Sequence, residues 1–152
     1  MSALRFMAVG LLGLLAGALS LEGLVLVPHW RSLSTLAFAD LHAGFAPRLF
    51  RFFAPLTTAA TSTAFAAAIA GAWTAQQGSA AWCANASAIM AAALLAVYRL
   101  YFHAANERLP LLAEAGDEKG LAAELLRWQR IHLARTALCI TAFASAALGV
   151  SY

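Results

Sequence analysis

Charge is scarce in this chain. Of its 152 residues, 11% are Asp, Glu, Lys or Arg, whereas 62% are hydrophobic and the mean hydropathy is +0.75. Soluble domains carry roughly 25% charged residues, so an ordinary water-soluble domain, which needs a polar surface, is excluded. The strict alternation of apolar and polar residues that a membrane β-barrel needs is missing; the apolar runs are continuous and rich in Ala and Leu. Basic runs are missing as well. The net charge of +3 and pI near 9.3 come from arginines scattered beside apolar segments, which fits membrane flanks and not a nucleic-acid partner. The two cysteines, Cys83 and Cys139, stand in different apolar segments without a CxxC pair. They read as small packing residues rather than a disulfide. No internal repeat is present, which argues against a transporter built from two halves.

What is there fits one all-α integral membrane unit, a four-helix bundle over residues 1–152 with spans at about 4–27, 47–74, 80–104 and 121–150. Gly10, Gly13 and Gly17 share one face of span one and let a neighbour approach. Arg5 followed by an apolar core and AGALS also resembles a cleavable signal peptide, but the apolar run continues to Val27, and Pro28 ends it. The less apolar stretch 29–46 suits a short interfacial helix capped by Ser32 or Ser34, with Pro47 opening span two. Pro55 predicts a kink there, and Thr57, Thr58, Thr61, Ser62 and Thr63 can satisfy freed backbone groups. A short turn at 75–79 makes spans two and three antiparallel neighbours. Span three continues as helix toward Leu109 until Pro110, and 111–120 is the one plainly soluble loop. Span four, about 45 Å long at 1.5 Å per residue, exceeds the roughly 30 Å hydrocarbon core, so its first turns stand among headgroups.

Four spans put both termini and the 75–79 turn on one side. Of ten Lys and Arg, all but Arg5 fall toward the other side, with all seven acidic residues and all four histidines. Positive charge marks the cytoplasmic face, so both termini are expected outside, and the charge-poor outer side suits a bacterial inner membrane. The partner this implies is the lipid bilayer; a homo-oligomer is compatible with it.

The polar residues gather at that one end. In ELLRWQRIHLARTALC, residues Glu124, Trp128, His132, Arg135 and Cys139 lie on one helical face, which runs into the apolar stretch 136–150. His103, Asn106 and Glu107 share another face at i, i+3 and i+4. Such residues often form only an interfacial belt, and His29, Trp30, Arg48, Arg51, Tyr101, Arg127 and Arg130 read that way. A smaller set reads as a site: Glu22, His42, His103, Asn106, His132 and Arg135. Glu22 and Arg135 lie inside apolar sequence, where ionisable groups are expensive; they fit a mutual ion pair or a working site equally well. Glu22, His42, His103 and His132 are the donor types for iron, copper or zinc, and two facing histidines could hold a haem. No HxxxH, ExxH or CxxCH spacing supports either, and a metal-free site with a histidine base fits as well.

NERL at Asn106–Leu109, WQRIHLAR at Trp128–Arg135, the Gly-rich first span, Pro28 and His42 together resemble the small four-span membrane family that includes the fungal anthrone oxygenases. The resemblance implies a four-helix membrane bundle and, for the characterised members, oxygenation of a polycyclic anthrone. It carries over Asn106, Trp128, His132, Arg135 and His42. Where the family pattern has a proline shortly before the asparagine, this chain has Ala104 and Ala105. Two functions follow as expectations. One is a membrane oxidoreductase acting on a small apolar aromatic compound: His132 as base, His42 or His103 assisting, Arg135 and Asn106 steadying an oxyanion, Trp128 as an apolar wall. The other is a non-catalytic partner subunit or scaffold whose polar end fixes helix register.

Overall fold

The computed structural model describes residues 2–73 and 78–151. The expected end of span two at 74 and most of the 75–79 turn lie outside the described residues. Four helical rods account for nearly everything else: α1 (Ala3–Arg31), α2 (Thr35–Trp73), α3 (Ser79–Glu114) and α4 (Glu118–Val150). Each is long and apolar enough to cross a membrane. Sequential rods pack side by side and α4 closes the ring on α1, while the diagonal pairs barely meet. This is an antiparallel four-helix bundle. Its ends are tied where Arg5 Nη1 donates to the Gly149 carbonyl at 3.1 Å, so the starts of α1 and α3 and the end of α4 share one side.

The rods outrun the membrane. At 1.5 Å per residue α2 is about 59 Å long, against roughly 30 Å of hydrocarbon. The overshoot is where the structure departs from expectation. The stretch 35–46 is helical but is not a separate interfacial helix; it continues into span two without a break at Pro47. Pro110 does not end span three, which runs to Glu114, and the expected loop at 111–120 shrinks to a turn over residues 115–117. Pro28 does not end span one either.

Local chemistry accounts for Pro28 and Pro110. Proline lacks an N–H and crowds the carbonyl four residues back. Just before Pro28, α1 widens into a π-turn over Glu22–Leu26, with the Val27 N–H bonded to Glu22 O, which gives the ring room. Around Pro55, Thr58 Oγ1 donates to Ala54 O at 2.8 Å. Pro110 is carried because Leu109 and Ala113, on either side, are both buried in the core. The turns are equally specific. Ser32 closes α1 with its hydroxyl on His29 O, and Ser34 caps α2 by accepting from Ala37 N. Between α3 and α4, Gly116 N bonds to Ala113 O and Asp117 N to Leu112 O, the two bonds of a Schellman motif, and Gly116 adopts φ +69°. Asp117 then caps α4 by accepting from Gly120 N at 2.9 Å.

The interior has two layers. Leu12, Leu15, Leu19, Ala60, Ala64, Ala91 and Cys139 pack the membrane half. Trp30, Phe38, Phe102, Leu109, Leu125 and Trp128 pack the polar half. Small residues bring the rods close in the first layer, but not as the glycine face suggested. Gly13 meets the Phe143 ring, whereas Gly10 and Gly17 have nothing within 4 Å of the place a side chain would take. The close approach that matters for the site is at Gly23.

Candidate functional site

The polar residues sit at the junction of the two layers. The π-turn of α1 carries Glu22 and Gly23 there, and a second π-turn in α3, Tyr98–Phe102, lies at the same level. Such turns add one residue to a helical turn and recur at functional sites. From α4 come Trp128, His132 and Arg135, all buried.

His132 is fully enclosed. Its Nε2 lies 2.9 Å from the Leu19 carbonyl. A carbonyl only accepts, so Nε2 carries the hydrogen and Nδ1 presents a lone pair. That Nδ1 has no hydrogen-bond partner and faces Glu22 Oε2 at 3.8 Å. The ring is held flat against Trp128, with centroids 4.7 Å apart and planes 9° from parallel, and the edge of Phe102 closes another side. Gly23 leaves the space: a Cβ there would lie 2.8 Å from His132 Cδ2. Trp128 is fixed in turn, its Nε1 donating to Asn106 Oδ1 at 2.9 Å and its ring meeting Trp30 edge-on.

Beside this stack a cavity of about 350 Å³ opens, bounded chiefly by α2, α3 and α4. Phe50, Phe53, Tyr98, Phe102 and Trp128 form its walls, Glu22, Thr57 and Arg135 supply buried polar groups, and Arg99 and His103 stand exposed at its rim. Arg135 lays its guanidinium over the Phe102 ring, 5.1 Å from the centroid. Its Nε and the Thr57 hydroxyl are buried without hydrogen-bond partners. Buried polar atoms left unpaired are uncommon and point to strain, catalysis or a ligand. Phe50 and Leu95 line the cavity and are also exposed on the outside of the bundle, where lipid would be. A smaller chamber of about 40 Å³ lies on the far side of Glu22, lined among others by Trp30, Phe38, His42 and Asn106.

The residues singled out in the sequence are therefore sorted by the fold. Glu22, Trp128, His132 and Arg135 come together. No ion pair within 4.0 Å joins Glu22 to Arg135; the near partner of Glu22 is His132. Asn106 acts through Trp128. His42, half-buried, lies at a tilt against Phe38, ring centroids 5.3 Å apart, in the small chamber. His103 is exposed at the cavity rim, with Nδ1 3.6 Å from Glu107. Among the described residues no three His, Cys, Asp or Glu side chains gather as metal ligands; Glu22 and His132 make a pair, with His42 and His103 in separate places. Trp30, expected in an interfacial belt, is buried core. Thr57, Phe53 and Phe102 were not legible as site residues. Thr57 belonged to a threonine run that also reads as backbone support, and the phenylalanines carry no spacing signal.

No known family matches the chain, and no characterised protein or solved structure is significantly similar to it.

Proposed function

We propose that the chain is a membrane-embedded enzyme, an oxidoreductase of the oxygenase type, acting on a small apolar aromatic compound that enters from lipid. The observation that carries this reading is the cavity of about 350 Å³ with aromatic walls, lined also by Glu22 and by Arg135 and Thr57, whose Nε and Oγ1 are buried without partners. The walls would hold the ring system. Arg135 and the Thr57 hydroxyl would donate to an oxygen on it, and donors aimed at developing charge are often the largest catalytic contribution.

On this reading the base is Glu22 and not His132. His132 does not line the cavity, whereas Glu22 does, so Glu22 takes the acidic proton and His132, 3.8 Å behind it, orients the carboxyl and shares the proton. The substrate anion left behind is electron-rich and can pass electrons to dioxygen. Oxygenation is the chemistry that the likeness of NERL and WQRIHLAR to the anthrone oxygenase-containing family implies. The site lies at the positively charged end of the bundle, so the reading includes a cytoplasmic-side site, termini outside and a bacterial inner membrane.

The test is turnover of phenolic and anthrone-like compounds under oxygen by purified protein in lipid. Glu22→Gln, nearly isosteric, should still bind such compounds and lose turnover; retention of full turnover would sink the assignment. A second reading, a non-catalytic partner subunit or scaffold, is favoured by two bonds that tie α4 to its neighbours, the buried one from His132 to Leu19 and the partly buried one from Trp128 to Asn106. On that reading Arg135→Met and Thr57→Val alter stability and remove no ligand.

A further inference from the structure

Glu22 borders two spaces. It lines the large cavity, and it also lines the small chamber that holds His42. Leu49 and Trp128 border both spaces too, and so form the partition beside it. We propose that the small chamber is a proton route, in which His42 carries protons between Glu22 and the water on the polar side of the bundle. This inference rests on Glu22 being the proton acceptor of the large cavity, and it adds how that acceptor is reset.

Three observations support it. The first is the need for an exit. When an apolar compound fills the large cavity, the small chamber is the other space that Glu22 borders, and His132 cannot relay outward, because its ring is fully buried and its Nε2 hydrogen is engaged by Leu19 O. The second is the chamber's content. At about 40 Å³ it has room for a few water molecules, each needing roughly 10–15 Å³ of such space and polar partners, and Glu22, His42 and Asn106 supply those partners. The third is the placing of His42. It is half-buried on the part of α2 that overshoots the membrane core, one side of its ring on Phe38. The ionisable groups around Glu22 are His132 and Arg135 from α4, His42 from α2, and Tyr98, Arg99 and His103 from α3, the last three lining the large cavity and not the chamber. Of the groups that line the small chamber, His42 alone can take a proton from Glu22 and is neither enclosed nor permanently charged. The balance is simple: Glu22 releases one proton to a ring nitrogen of His42 through water, and the imidazolium releases one to bulk water.

The route can be tested without any substrate, which separates it from the enzymatic reading. In lipid, at an acidity that protonates Glu22, its carboxyl C=O stretch can be followed by infrared spectroscopy after a switch to D2O, with Glu22→Gln identifying the band. His42→Phe keeps a ring against Phe38 and removes the carrier. It should slow the exchange on the order of a hundredfold, within the range that positioned proton-transfer groups contribute, and imidazole in the buffer should restore it. Ala46→Leu, which narrows the chamber and leaves His42 in place, should slow it as well, so the proposal does not hang on one variant. Leu95→Trp, which fills the large cavity, should leave the rate unchanged. Wild-type exchange in both His42→Phe and Ala46→Leu, or slowing by Leu95→Trp instead, would overturn the route.

Discussion

Gly23→Ala is the substitution for which sequence and structure disagree most sharply. In an ordinary helix interior, replacing Gly by Ala stabilises by about 1 kcal/mol. Here the new methyl would lie 2.8 Å from His132 Cδ2 and 3.2 Å from Nε2, well inside the usual contact of roughly 3.5–4.0 Å. The ring has no retreat. Trp128 covers one face, Phe102 closes an edge, and any slide breaks the 2.9 Å bond to Leu19 O. Overpacking of this kind costs about 1–3 kcal/mol, so the propensity gain is cancelled or reversed and the net effect lies between zero and a loss of about 2 kcal/mol. In a His132→Ala background the obstacle is gone, and the same substitution should stabilise by about 1 kcal/mol. The four corners, measured by reversible unfolding in mixed micelles with tryptophan fluorescence, should therefore show a coupling of about 1–3 kcal/mol. An effect of Gly23→Ala that is equal in the two backgrounds would refute the contact and, with it, the account of how α1 and α4 are held at the site.

Other outcomes follow from the same geometry. Trp128→Phe leaves Asn106 Oδ1 without its donor and should cost about 1–3 kcal/mol by the same unfolding assay, while adding Asn106→Leu should recover part of that loss. Gly116→Ala places a side chain at φ +69° and should destabilise the bundle by about 1 kcal/mol, with no effect on ligand occupancy of the cavity. Single cysteines placed at Gly116 and at Gly78, in a background where Cys83 and Cys139 are replaced, should be labelled by an impermeant thiol reagent from opposite faces of sealed vesicles; labelling of both from one face would reject the four-span topology.

The four-helix plan was legible because it depends on composition and on the length of apolar runs, and lipid leaves a chain few alternatives. The stripe Glu124, Trp128, His132, Arg135 and Cys139 was legible for a related reason: helical periodicity assigns a face before any neighbour is known, and all five positions are buried or half-buried. The prolines misled. Pro28, Pro47 and Pro110 read as boundaries, because local chemistry disfavours proline inside a helix, yet all three rods run through, with a π-turn ahead of Pro28 and buried residues on both sides of Pro110. Gly10 and Gly17 misled in the opposite direction, since a small residue permits a close approach without providing one.

The sequence by itself determined that this chain is a helical membrane bundle and that its ionisable residues gather at one end, since both follow from solvation costs each residue carries wherever it sits. Tertiary structure alone decided which of them come together. Glu22 and Arg135 came to line the cavity, His132 became the enclosed ring behind Glu22 and Asn106 the anchor of Trp128, with His103 at the cavity rim and His42 in the small chamber. Those assignments depend on two π-turns and on one glycine's approach to one imidazole. They are relations between helices, and periodicity within a helix does not contain them.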